Sequence, residues 1–244
     1  MSDQDKVLHL GGSIEEALKG QVKLQLGQVF KEAAENGLKP DRSLLAPVLM
    51  LTGVTLMLVV VLAELLALGG WSMATAQGQS LAYLLATAAL APAVTAIKLM
   101  GVHQVVGLKP PTQLLWHWYR HGPLLSLTAL ICLGLVNLGS AFYLVPGIFL
   151  QIALAPALML VADKGLSPLN AIKTSVLVCL RYFPAFLISQ LLLLLMVVLV
   201  AFSFGLALVW LGPLYLRFTG VLYRELFGVK LRMTFNQPQT LFNA

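Results

Sequence analysis

The residues able to do chemistry in this chain are few, and their spacing limits what they can do. His103, His117 and His121 crowd one stretch, and the four-residue step from His117 to His121 puts two imidazoles on one face of a helix. A catalytic zinc site normally adds a carboxylate or a cysteine to such a pair, and none is near in sequence, so these read as interfacial histidines. Inside the long apolar blocks the ionisable side chains are Glu64, Lys98 and Arg217. Glu64 lies near one end of its block and Lys98 near the other end of the next, where both can snorkel or pair, whereas Arg217 is set deeper. Asn137 and Gln151 are the polar residues nearest mid-block, on adjacent segments, and an interhelical hydrogen bond is their expected role. Cys132 and Cys179 have no base and orienting acid nearby, and no glycine-rich phosphate loop occurs. The pattern assigns no catalytic residue, metal ligand or cofactor site.

The elements that must position these residues follow from composition. Of 244 residues, 59% are hydrophobic and only 11% charged, against about 25% charged in soluble domains, so most of the surface must meet hydrocarbon rather than water. The net charge of +6 comes from basic residues scattered singly, which suits anionic lipid headgroups and argues against nucleic acid. Six blocks are long enough to cross a bilayer: Leu44–Leu68, Leu81–Met100, Pro123–Tyr143, Pro146–Ala162, Pro184–Phe204 and Gly205–Tyr223. The fourth is short and follows the third after almost no loop, with Val145-Pro146-Gly147 supplying the turn. With six crossings, Lys6 through Arg42, Lys109, Arg120, Lys164, Lys173, Arg181 and Arg217 through Arg232 all fall on one side, which the positive-inside rule makes cytoplasmic for both termini. The stretch through Asp41 is polar and lacks the apolar core of a signal peptide.

Three punctuation marks recur. Gly37-Leu38-Lys39-Pro40, Gly107-Leu108-Lys109-Pro110 and Gly165-Leu166-Ser167-Pro168 precede the odd-numbered spans; Leu90-Ala91-Pro92, Leu154-Ala155-Pro156 and Leu211-Gly212-Pro213 fall within the even-numbered ones. The expected fold is therefore all-α: six transmembrane helices as three tandem hairpins over residues 37–228, with Pro92, Pro156 and Pro213 as helix-kink positions. Bent inner helices could line a shared cavity or simply aid packing.

At the cytoplasmic face, Ser13 and Glu16 form a capping box, Asn36-Gly37 a helix stop, and Leu18, Val22, Leu26, Val29 and Ala33 an apolar stripe. They predict an amphipathic helix over 14–36 within a cytoplasmic segment 1–36, lying on the bilayer, packed under the bundle or paired with a partner protein. Thr112–His121 and Leu169–Tyr182 look like further interfacial helices, and 229–244 is read as a cytoplasmic tail.

Val145-Pro146-Gly147-Ile148, Leu154-Ala155-Pro156-Ala157, Leu160-Val161-Ala162-Asp163-Lys164, then Ala171 and Ser175 before an aromatic-Pro helix entry, resemble the YciC-like family of bacterial inner-membrane proteins over about 60 residues, from Tyr143 to roughly Leu199. The resemblance implies a helical bundle in a bacterial cytoplasmic membrane and carries over no catalytic residue. The N-terminal helix departs from the family pattern. Two functions are carried forward: a non-enzymatic inner-membrane protein supporting membrane organisation or a partner complex, and a passive carrier or channel for a lipid or small apolar solute, using a cleft between the even-numbered helices. An integral-membrane enzyme would need two polar catalytic groups converging at an inner-face pocket.

Overall fold

A computed structural model describes residues 6–35, 42–108, 122–234 and 237–240. Within them, ten helices accompany one small sheet. The helices are α1 (Ile14–Lys19), α2 (Leu26–Glu35), α3 (Arg42–Leu68), α4 (Ala76–Val105), α5 (Gly122–Phe142), α6 (Leu144–Ala153), α7 (Ala157–Lys164), α8 (Pro168–Arg181), α9 (Phe183–Phe202) and α10 (Leu208–Phe227). The strands are β1 (Lys6–Leu10), β2 (Val229–Thr234) and β3 (Gln237–Thr240). The expected helix over 112–121, with His117 and His121, and the Gly37–Pro40 mark lie outside the described residues.

Five stretches are long and apolar enough to cross a membrane: Leu44–Leu68, Ala76–Val105, Gly122–Phe142, Leu144–Lys164 and Phe183–Phe202. Their outer faces carry Leu56, Met57, Leu194 and Phe202, exposed over 65%, 70%, 60% and 82% of their surfaces. So much contiguous apolar exposure suits hydrocarbon, and helices satisfy their own backbone there. The chain is thus a helical membrane protein. α10 carries Arg217, Arg224 and Glu225 and is not among the five.

α4 and α10 form the centre of the bundle, with α3, α5 and α7 against α4 and α9 and α2 against α10. Leu99, Met100 and Val102 of α4, Leu160 of α7, and Phe218, Val221 and Leu226 of α10 are fully buried there. The two central helices cross at Gly101 and Gly220. A Cβ on Gly220 would sit 2.8 Å from the carbonyl carbon of Gly101, and one on Gly101 would collide with the carbonyl of Leu216. Small residues allow this approach of backbones where lipid offers no hydrophobic drive to association.

Two prolines have clear structural consequences. Pro92 lies inside α4 and cannot donate to the Ala88 carbonyl one turn back; the Ser126 hydroxyl of α5 donates to it instead, at 2.6 Å. Pro156 marks the break between α6 and α7, where Ala157 N–H donates to Leu154 rather than Ala153. The freed Ala153 carbonyl accepts from Ser175 of α8. Pro213 lies within α10, which continues through it.

Several expectations need correction. The hairpin between the third and fourth spans turns at Tyr143, and Pro146 lies in the first turn of α6, where a missing N–H costs no helical bond. The 14–36 helix is two helices. Ser13 Oγ accepts from Glu16 N–H at 3.2 Å as expected, but Gly20 takes up left-handed φ 73°, ψ 22° and Gln21 N–H closes the turn on Glu16 at 2.9 Å. That motif stops a helix. The 229–244 tail is partly strand: β2 pairs antiparallel with β1 (Leu8 opposite Leu231) and with β3, in the order β1-β2-β3. Val229, Leu231 and Met233 alternate with Lys230, Arg232 and Thr234, a period of two that the reading as a tail overlooked.

Candidate functional site

The N-terminal segment folds back on the bundle. Val29 and Ala33 of α2 and Ala17 of α1 are core residues, with Leu18, Val22 and Leu26 packed beside them, so the apolar stripe is covered by its own chain. Arg224 of α10 donates to both carboxylate oxygens of Glu32 at 2.7 and 2.8 Å and also reaches Glu225. Tyr182 accepts from Val22 N–H at 3.0 Å, and Arg181 donates to the Lys19 carbonyl at 3.3 Å. Glu15, Lys19, Lys23, Lys31 and Glu35 remain exposed, while the half-exposed Phe30 ring packs edge-on against Phe218 of α10. α8 borders it with exposed Asn170, Lys173 and Arg181 beside exposed Leu169, Leu177 and Leu180, a mixture suited to a bilayer interface.

The residues picked out beforehand fare differently. Asn137 and Gln151 do not meet. Both are exposed, because α5 and α6 pack through Gly139, Ser140, Gly147 and Leu150, and the two amides fall off that seam. Arg217 is buried, 4% exposed, with Nε donating to Gln104 Oε1 of α4 at 2.9 Å. It is a structural cation between the two central helices. Of the three prolines, Pro156 borders a pocket, whereas Pro92 packs toward Gly122 at the start of α5.

Sequence reasoning missed a buried polar cluster at the end of α7. Asp163, 3% exposed, accepts from the Tyr223 hydroxyl at 2.7 Å and pairs with Lys164 Nζ at 3.0 Å, while Lys164 donates to the Gly228 carbonyl at 2.7 Å. Asp163 and Lys164 form the last turn of α7 and bind it to the junction of α10 and β2. The available signal was an acid next to a base in an otherwise apolar helix, with an aromatic hydroxyl at a matching depth on α10.

The pocket lies between α4, the α6–α7 break, α9 and α10, is partly open to the outside, and has a cavity volume of about 30 Å³. Lys98, Pro156, Phe186, Ser189, Tyr215 and Tyr223 are among its lining residues. Both cysteines are buried, and burial pushes the Cys179 thiol up to about 11, leaving it protonated and unreactive near neutrality. His103 is buried with Nδ1 2.9 Å from the Leu99 carbonyl. Among the described residues, no three His, Cys, Asp or Glu side chains group to hold a metal. No family model, curated protein or solved structure matches the chain.

Proposed function

We propose that the chain is a non-enzymatic integral protein of a bacterial inner membrane, with six spans as three tandem hairpins and both termini cytoplasmic, which supports membrane organisation or a partner complex. The observation that carries this reading is the layer made by the two ends of the chain. β1 pairs with β2, Glu32 clamps Arg224, and Lys19, Lys23 and Lys31 stay exposed beside them. A partner would meet the exposed Lys19, Lys23 and Lys31 rather than the apolar stripe, which the bundle covers. The location in a bacterial inner membrane rests on the YciC-like resemblance and the one-sided distribution of basic residues. The N-terminal segment contacts the end of α10, which supports a sixth crossing, since an even number of spans returns the chain to its starting side.

Photo-crosslinkers placed at the exposed Lys23 and Lys31 are expected to capture the same protein reproducibly from intact membranes. Loss of every specific adduct at both positions would sink the partner-complex reading. The topology is tested separately. Reporter fusions at Gln77 and Phe204 are expected outside and those at Gln113, Thr174 and Asn243 inside; an outside signal at Asn243 would remove one crossing.

The carrier reading has less support. Its cleft was to be lined near Pro92, Pro156 and Pro213, and only Pro156 borders the pocket among the described residues.

A further inference from the structure

Three polar side chains of the Pro156 pocket have no partner among the described residues. Tyr223 is committed to Asp163, and Thr219 donates to its own helix at the Tyr215 and Leu216 carbonyls. Lys98, Ser189 and Tyr215 line the same pocket, yet the side chain of none makes a hydrogen bond or ion pair among the described residues. Ser189 is 6% and Tyr215 8% exposed. Buried hydroxyls are normally satisfied, and an ammonium within a bilayer leaflet is costly without a counter-charge. Their convergence from α4, α9 and α10 on one space is what a binding site requires and packing does not.

The chemistry of the lining identifies the ligand class. One cation and two hydroxyl donors suit an oxyanion, which accepts from all three. Phe186, Leu222, Leu226 and Phe227 make the remaining wall apolar, so what is attached to the oxyanion should be apolar as well. Lys98 stands seven residues before the end of α4 at Val105, roughly 10 Å along a helix about 45 Å long, and a hydrocarbon core is about 30 Å thick, so the site lies near the level of the headgroups, where a lipid phosphate sits. We propose that this pocket binds one anionic phospholipid, with Lys98, Ser189 and Tyr215 holding its phosphate and the apolar wall holding the start of an acyl chain. The inference requires only that the helices span a membrane; it stands or falls independently of the partner-complex reading.

The test uses the full chain in nanodiscs and in detergent. Native mass spectrometry of protein from mixed phosphatidylglycerol and phosphatidylcholine discs is expected to show one retained phosphatidylglycerol in preference to phosphatidylcholine. Lys98→Met should lower that occupancy about tenfold or more, the scale of one charge-assisted hydrogen bond, while Lys98→Arg retains most of it. Ser189→Ala with Tyr215→Phe should weaken retention further without altering the preference for negative charge. Equal retention of the two lipids by the wild type overturns the proposal, and this comparison decides the matter if Lys98→Met does not fold. Unchanged retention in a folded Lys98→Met protein also overturns it, as does protection against heating by inorganic phosphate alone that equals protection by phosphatidylglycerol.

Discussion

Gly220→Leu is expected to prevent the bundle from forming in a stable state. The side chain would be built into the backbone of Gly101, 2.8 Å from where its Cβ must stand, and the helix opposite cannot yield as a side-chain tip would. Overpacking a tight core costs about 1 to 3 kcal/mol, and a backbone obstacle belongs at or beyond the upper end. α4 and α10 would separate or rotate, taking Gln104 away from Arg217 and breaking the hydrogen bond between the two central helices. Loss of a monodisperse peak in mild detergent, or a fall of the thermal midpoint well beyond that of other glycine replacements, is the expected result. Gly53 of α3 and Gly134 of α5 supply the comparison, since a Cβ at either meets nothing within 4 Å. Leucine there should be neutral or slightly stabilising, because glycine inside a helix costs roughly 0.5 to 1 kcal/mol relative to alanine. If Gly220→Leu behaves like Gly53→Leu, the central crossing is not where the structure puts it.

The second large effect is expected at Asp163. Asp163→Ala removes an acceptor from the buried Tyr223 hydroxyl and the counter-charge from Lys164, whose side chain is only 14% exposed. Breaking a buried ion pair from one side costs about 3 to 5 kcal/mol, because the partner stays behind uncompensated. The remaining bond from Lys164 to the Gly228 carbonyl softens that loss, so about 3 kcal/mol is the expected value. Tyr223→Phe alone should cost about 1 kcal/mol. The two changes share one hydrogen bond, and the double variant should lose less than their sum in reversible denaturation. Strict additivity would mean that the Tyr223 to Asp163 contact contributes nothing.

What the sequence makes legible here is depth along each helix, and what it conceals is direction around the axis. α3, α5 and α9 begin and end within a few residues of the expected spans, because a run of apolar residues has ends that can be counted. Asn137 and Gln151 were placed at similar depths on adjacent segments, and they nevertheless fall outside the seam. Their helices are apolar on nearly every face, so no polar side indicates which way the core lies. Lys98 illustrates the same limit. Its position near the end of α4 suggested snorkelling, whereas its orientation puts it in a pocket with Ser189 and Tyr215. The N-terminal helices were misjudged for another reason. The period of the stripe from Leu18 to Ala33 continues across Gly20, and only the left-handed backbone at that residue shows the interruption.

The pairing of β1 with β2 joins Leu10 to Val229, residues separated by more than two hundred positions. A ribosome adds about 5 to 20 residues per second, so the first strand waits roughly 10 to 40 seconds for its partner to be made. All five long apolar stretches lie between the two strands and are synthesised during that interval. Closing the sheet is therefore a late event that requires the intervening helices to have brought the two ends together. A chain arrested or misinserted partway would leave the first strand's backbone donors and acceptors unpaired in the aqueous phase. Quality-control proteases that recognise unpaired strands would then have a local mark distinguishing an incomplete molecule from a finished one.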